Sequence, residues 1–216
     1  LASKLTTQMQ IPVQMFEGRR ITNAETLDII TMVYAGKIGK NMVAKLQSYG
    51  CNTVGFSGAD GNVIVAKKRP VKEKDYGFVG DVVNINTEVI KLLLINNISL
   101  CFCAISHDEN GQLLNTNADT IASELAIALT KDYKVDLYYC FEKKGVLSDM
   151  ENPSSVIERI VKKDYEIMKT QGLVFEGMIP KLDNCFHALE NGVKNIHLGT
   201  AEGIFDSEET HTIVAQ

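Results

Sequence analysis

The chain has 216 residues, 45% of them hydrophobic and 23% charged, enough for a substantial core in one domain. Twenty-two Lys and Arg against 27 Asp and Glu leave a net charge of −5, which gives no global basic field for nucleic acid. No apolar run approaches the roughly 20 residues that a membrane-spanning helix requires, and four Pro with 16 Gly exclude collagen-like or low-complexity character.

The chain opens at Leu1 without a Met, and its first residues read as helix. Thr22-Asn23-Ala24-Glu25 matches a capping box with Thr22 as N-cap. Leu27, Ile30 and Tyr34 then share one helical face. A second helical pattern runs through Ile38, Met42 and Leu46 and stops at Gly50. Residues 52–56 predict a short strand, 57–62 a turn and 63–66 a strand. Another strand fits 78–83. Residues 88–95 predict a helix with Val89, Leu92 and Leu93 inward. The apolar runs 99–105 and 135–141 predict strands buried on both faces. An amphipathic helix fits 117–130 through Ile121, Leu125 and Leu129. Helices near 156–170 and 179–190 and a strand at 193–198 complete the chain. Alternating strands and helices imply an α/β fold with a mainly parallel sheet covered on both faces. With no repeat and no long linker, residues 1–216 read as one domain.

The five cysteines are Cys51, Cys101, Cys103, Cys140 and Cys185. They show no CxxC pair or Cys/His cluster with zinc spacing. They read as buried free thiols, with a reducing cytoplasm as the expected compartment. None of the four histidines has a metal-ligand neighbour in sequence, and His107-Asp108 reads as a turn. No Gly-x-Ser-x-Gly elbow, Walker loop or GxGxxG occurs, so hydrolase and dehydrogenase chemistry has no motif. The basic run 67–72 reads as a charged hairpin tip.

In parallel α/β sheets, ligands bind at loops leading from strands into helix N-termini. Three loops have suitable residues. Residues 111–120 carry Asn115 and Asn117, which alternate and could point into one site, with Asp119 in the first helical turn. The same residues would equally serve as a plain helix cap. Residues 175–181 place Lys181 just after Pro180, where the helix dipole disfavours a cation. That suggests a nearby anion, or else a solvated surface lysine. Residues 17–22 pair a glycine with Arg19 and Arg20, able to clamp a carboxylate or phosphate, or simply to face solvent.

Five stretches together resemble the N-acetyl-L-glutamate kinases of the amino acid kinase superfamily. They are Gly18-Arg19-Arg20-Ile21-Thr22-Asn23-Ala24-Glu25-Thr26, Gly55 to Asn62, Gly77-Phe78-Val79-Gly80, Asn115 to Thr120, and Gly177-Met178-Ile179-Pro180-Lys181. They occur in family order and cover nearly the whole chain.

The resemblance implies a three-layer α/β/α sandwich with a mainly parallel central sheet. It also implies ATP-dependent phosphorylation of the γ-carboxylate of an N-acylated glutamate in arginine biosynthesis. ATP is the phosphoryl donor, and Mg2+ is held mainly by its phosphates. Arg20 matches the family residue that holds the substrate α-carboxylate. Asn115 and Asn117 match those contacting substrate and phosphate. Asp119 matches an acid that organises catalytic lysines, and Lys181 the lysine that stabilises the transferring group and helps hold ATP. Glu142, Gly145 and Met178 fall at nucleotide-binding positions. No protein metal site, nucleic acid or membrane is implied, and a homodimer is. Because the nucleophile is already ionised at pH 7, no general base is required.

The sequence departs from the family pattern at its start. The usual strand with a catalytic lysine and glycine loop, then a helix and a second strand, has no counterpart ahead of Leu1. The expectation is therefore an N-terminally incomplete domain. Glu142 stands where many members have Asp, and Gly39 where many have Asn. Alternatives are an N-succinyl-L-glutamate kinase, another superfamily kinase, or a non-catalytic ligand- or regulator-binding homologue.

Overall fold

The structure, a computed structural model, describes residues 1–16, 19–149, 151–174, 176–206 and 210–215, with backbone only at Arg19 and Glu176. Glu17, Gly18 and Phe175, which belong to two of the loops above, lie outside the described residues. The chain gathers into two compact units, Leu1–Ile121 and Ala122–Gln216.

The first unit opens with α1 (Ala2–Gln8) and the short antiparallel pair β1 (Met15–Phe16) and β2 (Arg19–Arg20). α2 (Ala24–Thr31) runs into a π-helical stretch, Met32–Ile38, and on into α3 (Gly39–Ser48). β3 (Thr53–Phe56), β4 (Ile64–Lys68), β5 (Gly80–Ile85) and α4 (Thr87–Ile95) follow. β6 (Ser99–Phe102), β7 (Ile105–His107), β8 (Leu113–Asn115) and the start of α5 (Ala118–Leu129) complete it. β3 and β6 pair in parallel, while a four-stranded sheet has the order β5-β4-β7-β8 with β4 and β7 parallel. Leu27, Ile29, Ile30 and Val33 of α2 and its extension bury against Ala2 and Ile105.

The second unit carries the rest of α5, then β9 (Asp136–Cys140), β10 (Arg159–Val161) and α6 (Lys162–Thr170). α7 (Ile179–Glu190), β11 (Asn195–Gly199), α8 (Ala201–Phe205) and β12 (Thr212–Ala215) follow. Its sheet has the order β10-β12-β11-β9, with β9–β11 and β10–β12 parallel. Its core is Tyr165 of α6, Leu182, Cys185, Phe186 and Leu189 of α7, and Ile196, Leu198 and Val214 of the sheet. The α/β class is as expected. The parallel pairings join strands distant in sequence, as crossover connections require, and the antiparallel ones include hairpins.

Several local expectations are corrected. Asn23, not Thr22, caps α2, its Oδ1 accepting the Thr26 N–H at 2.8 Å. Thr22 is instead extended and bridges Gly77. Ile38 and Met42 are exposed rather than inward, because the π-helical stretch rotates α3 out of the register set by α2. Val43 faces the sheet instead, packed over Gly55. On α4 the buried residue is Ile90, and Leu92 is exposed.

The run 99–105 breaks into β6 and β7, and neither β6 nor β9 is buried on both faces. β10 occupies the start of the segment expected to be helix near 156–170. His107 ends β7 rather than lying in a turn. All five cysteines are free, as expected, yet only Cys185 is fully buried and Cys140 is exposed. β4 and β5 do flank the basic run, where Arg69 pairs with Asp81 at 2.5 Å.

Candidate functional site

In the first unit, three of the resembling stretches converge on Thr22. Its N–H bonds to the Tyr76 carbonyl at 2.9 Å, and its own carbonyl accepts the Phe78 N–H at 2.7 Å. The next strand edge is Asn115, whose N–H donates to Phe78 O at 2.9 Å. Asn115 Nδ2 donates to Thr22 Oγ1 at 2.9 Å. The 18–26, 77–80 and 115–120 segments are therefore stitched side by side. Gly77 makes this possible. Its φ of +71 is a left-handed conformation, and a β-carbon there would overlap the Thr22 carbonyl, so only glycine fits without strain. Sequence reasoning missed Thr22 as the link, because its hydroxyl looked like an ordinary cap.

Arg20 sits on β2, two residues before Thr22. Its Nη2 donates to Ser3 Oγ at 2.7 Å. Among the described residues its Nη1 is buried with no hydrogen-bond partner. A buried guanidinium N–H left unmet carries a desolvation cost that an incoming carboxylate would relieve.

Asn117 caps α5, with Oδ1 accepting the Thr120 N–H at 3.0 Å, so the plain capping reading holds and its amide nitrogen remains a donor. Asp119 lies in the first turn of α5, where the helix dipole favours an acid. Asn115, Thr116 and Asn117 line a cavity of about 460 Å³ together with Tyr34, Met42 and Cys103. The π-helical stretch carries Tyr34 to this wall, and Gly39 adjoins it. Burial pushes the thiols of Cys101 and Cys103 up. They therefore stay protonated near neutrality and are poor nucleophiles.

In the second unit, Lys181 lies in the first turn of α7, preceded by Pro180 and by Met178 at the N-cap. Its Nζ stands 4.6 Å from the Tyr139 ring centroid and 5.8 Å from that of Phe141. Met178 packs on the core of this unit. Glu142 is exposed just after β9. Gly145 is buried, and a β-carbon there would stand 2.5 Å from Thr212 Oγ1 and 2.8 Å from Val156 Cγ1. The same Thr212 hydroxyl accepts the Val146 N–H at 2.8 Å and donates to the Ile157 carbonyl at 2.7 Å. The loop after β9 is thereby clamped to β12. The aromatic pair under Lys181 escaped sequence reasoning, although alternation along β9 puts 139 and 141 on one face.

The histidines, without metal-ligand neighbours in sequence, are not all isolated in space. His197 Nδ1 and His211 Nε2 are 2.9 Å apart, and His197 stacks on Tyr138 at 4.8 Å. Among the described residues no three His, Cys, Asp or Glu side chains gather as a metal-binding group.

The Amino acid kinase family matches residues 1–200. The acetylglutamate kinase of Cytophaga hutchinsonii is 49% identical over 207 residues, covering 95% of this chain and 78% of that protein. The acetylglutamate kinase of Bacteroides thetaiotaomicron is 47% identical, covering 97% and 81%. Among solved structures, smu.665 from Streptococcus mutans UA159 superposes with a TM-score of 0.83 at 27% identity, over 99% of this chain and 81% of that one. The AMP-PNP-bound carbamate kinase of Giardia lamblia shares the fold, with a TM-score of 0.66 at 16% identity over 100% and 79%. The match over nearly the whole length, together with motifs that the fold stitches onto neighbouring segments, means that the chain belongs to the amino acid kinase family, and within it to the acetylglutamate kinases.

Proposed function

We propose that the protein transfers the γ-phosphoryl group of ATP to the side-chain carboxylate of N-acetyl-L-glutamate, forming the acyl phosphate in arginine biosynthesis. The observation that carries this reading is Nη1 of Arg20, buried and without a hydrogen-bond partner among the described residues, two residues from the Thr22–Asn115 link. Such a group suits the α-carboxylate of an amino-acid derivative. Asn115 and Asn117, on one cavity wall, orient the substrate and the phosphoryl group. Asp119 organises lysines by accepting their hydrogen bonds.

Lys181 supplies positive charge to the migrating phosphoryl group. A half-buried ammonium set against its own helix dipole fits a polyanionic nucleotide. Glu142, Gly145 and Met178 shape the nucleotide end, Gly145 through the close packing on Thr212. Magnesium, held mainly by the nucleotide phosphates, adds charge neutralisation when bound. The residues themselves chiefly position the two anions and offset their repulsion, since the attacking carboxylate needs no base.

The protein works as a homodimer in the cytoplasm. Exposed Met32, Ile38 and Met42 support a self-association surface, and five free thiols support a reducing compartment. An ATP-coupled assay of the full chain with N-acetyl- and N-succinyl-glutamate tests the activity. Turnover is expected with the acetyl compound. Preference for the succinyl compound would reassign the acyl group, and equal inactivity on both would sink the reading.

A further inference from the structure

The environment of Lys181 carries one step more. Tyr139 of β9 and Phe141, one residue past its end, both lie beside Lys181, whose ammonium stands 4.6 Å and 5.8 Å from their ring centroids. Both distances are within the range at which a ring quadrupole attracts a cation. Tyr139 itself cannot wander. It is only 5% exposed, and its hydroxyl lies 2.6 Å from Oγ of Ser123, a fully buried residue of α5. The ring is thus anchored at its far end by a hydrogen bond and offers its π face to the lysine.

We propose that Tyr139, fixed by Ser123, is a positioning residue for Lys181. This rests on the reading of Lys181 as the lysine of phosphoryl transfer. A long lysine side chain loses rotamer entropy when it is fixed. A ring that holds the ammonium before the nucleotide arrives removes part of that cost from the reaction. An aromatic face attracts the cation without itself neutralising it. The device also answers the helix dipole, which otherwise repels a cation from the first turn of α7.

The test compares Tyr139→Leu, Tyr139→Phe and Lys181→Met in the full chain. Tyr139→Leu should lower kcat about 3–30-fold, the scale of a partly desolvated cation–π contact, with KM for the acylated glutamate unchanged. Tyr139→Phe keeps the ring but loses its anchor on Ser123, so its kcat should fall less than that of Tyr139→Leu. Combined with Lys181→Met, Tyr139→Leu should cause no further loss.

A second measurement does not depend on activity. After reductive methylation with ¹³C, the dimethyl-Lys181 resonance, identified by its absence in Lys181→Met, should show an upfield ring-current displacement. Tyr139→Phe should retain that displacement and Tyr139→Leu lose most of it. The proposal is overturned if a folded Tyr139→Leu keeps full kcat, if Tyr139→Phe falls as far as Tyr139→Leu, or if the displacement is missing from the parent protein. Full activity of Lys181→Met would instead refute the site reading, while the resonance still reports whether the ring holds the lysine.

Discussion

Lys181 and Arg20 are both cations, yet their environments predict different kinetic signatures. In the proposed site Lys181 meets charge that develops during transfer, so Lys181→Ala should lower kcat by roughly 10²–10³, the scale for losing one preorganised electrostatic group. Arg20, on the same proposal, meets a carboxylate present before and after transfer. Arg20→Ala should therefore mainly raise KM for the acylated glutamate, by about 10–100-fold for a lost charge-assisted hydrogen bond. Steady-state kinetics separate the two outcomes, and an unchanged KM would remove Arg20 from the site. His197 makes a prediction of another kind. Burial, and then the nearness of His211, push its imidazole below the usual 6.5. Above 6.5 it is neutral in both folded and unfolded chains. As pH falls through that value the unfolded chain takes up the proton first, so stability declines until the folded imidazole titrates too. The urea midpoint should drop as pH falls through 6.5, and His197→Gln should flatten that slope.

Elements place these residues, and two local features decide the placements. Gly77 lets the 76–78 segment lie against Thr22 in a conformation that an alanine would strain. Gly77→Ala should cost about 1–3 kcal/mol of stability in urea unfolding. It should also raise KM for the acylated glutamate, since Asn115 leans on the same Thr22 hydroxyl. An alanine variant with parent-like stability and KM would show that the stitching is dispensable. The π-helical stretch Met32–Ile38 is the second case. The amphipathic pattern of α2 was legible, and Leu27 and Ile30 are indeed buried. The second pattern, through Ile38 and Met42, does not face inward after the wider turn. Periodicity counts residues per turn at a fixed value and cannot register such an insertion.

For the whole molecule, the family was legible because its motifs depend on backbone requirements that show in the sequence: a glycine at a left-handed turn, an asparagine at a helix start, a proline in a first turn. The boundary between the two compact units was not, because it falls inside α5 and no linker composition marks it. Nor were the exposed apolar residues of the π-helical stretch and α3. A homodimer using that surface should dissociate when Met32 and Ile38 are both changed to Glu. Sedimentation analysis should then show the monomer mass, with secondary structure retained. A dimer unaffected by the double change would use another face.

The α/β class, the order of most strands and helices, and the cations and amides of the proposed site are all legible in the sequence. These follow from local propensity, from periodicity and from motif spacing, all of which act over a few residues. Only the tertiary structure decided what those side chains meet. It gave Thr22 to Asn115 across 93 positions of sequence, left Nη1 of Arg20 buried without a partner among the described residues, and set Lys181 beside the rings of Tyr139 and Phe141. Such contacts depend on which distant segments the fold brings into register. The intrinsic preference of each segment is silent about its neighbours in space.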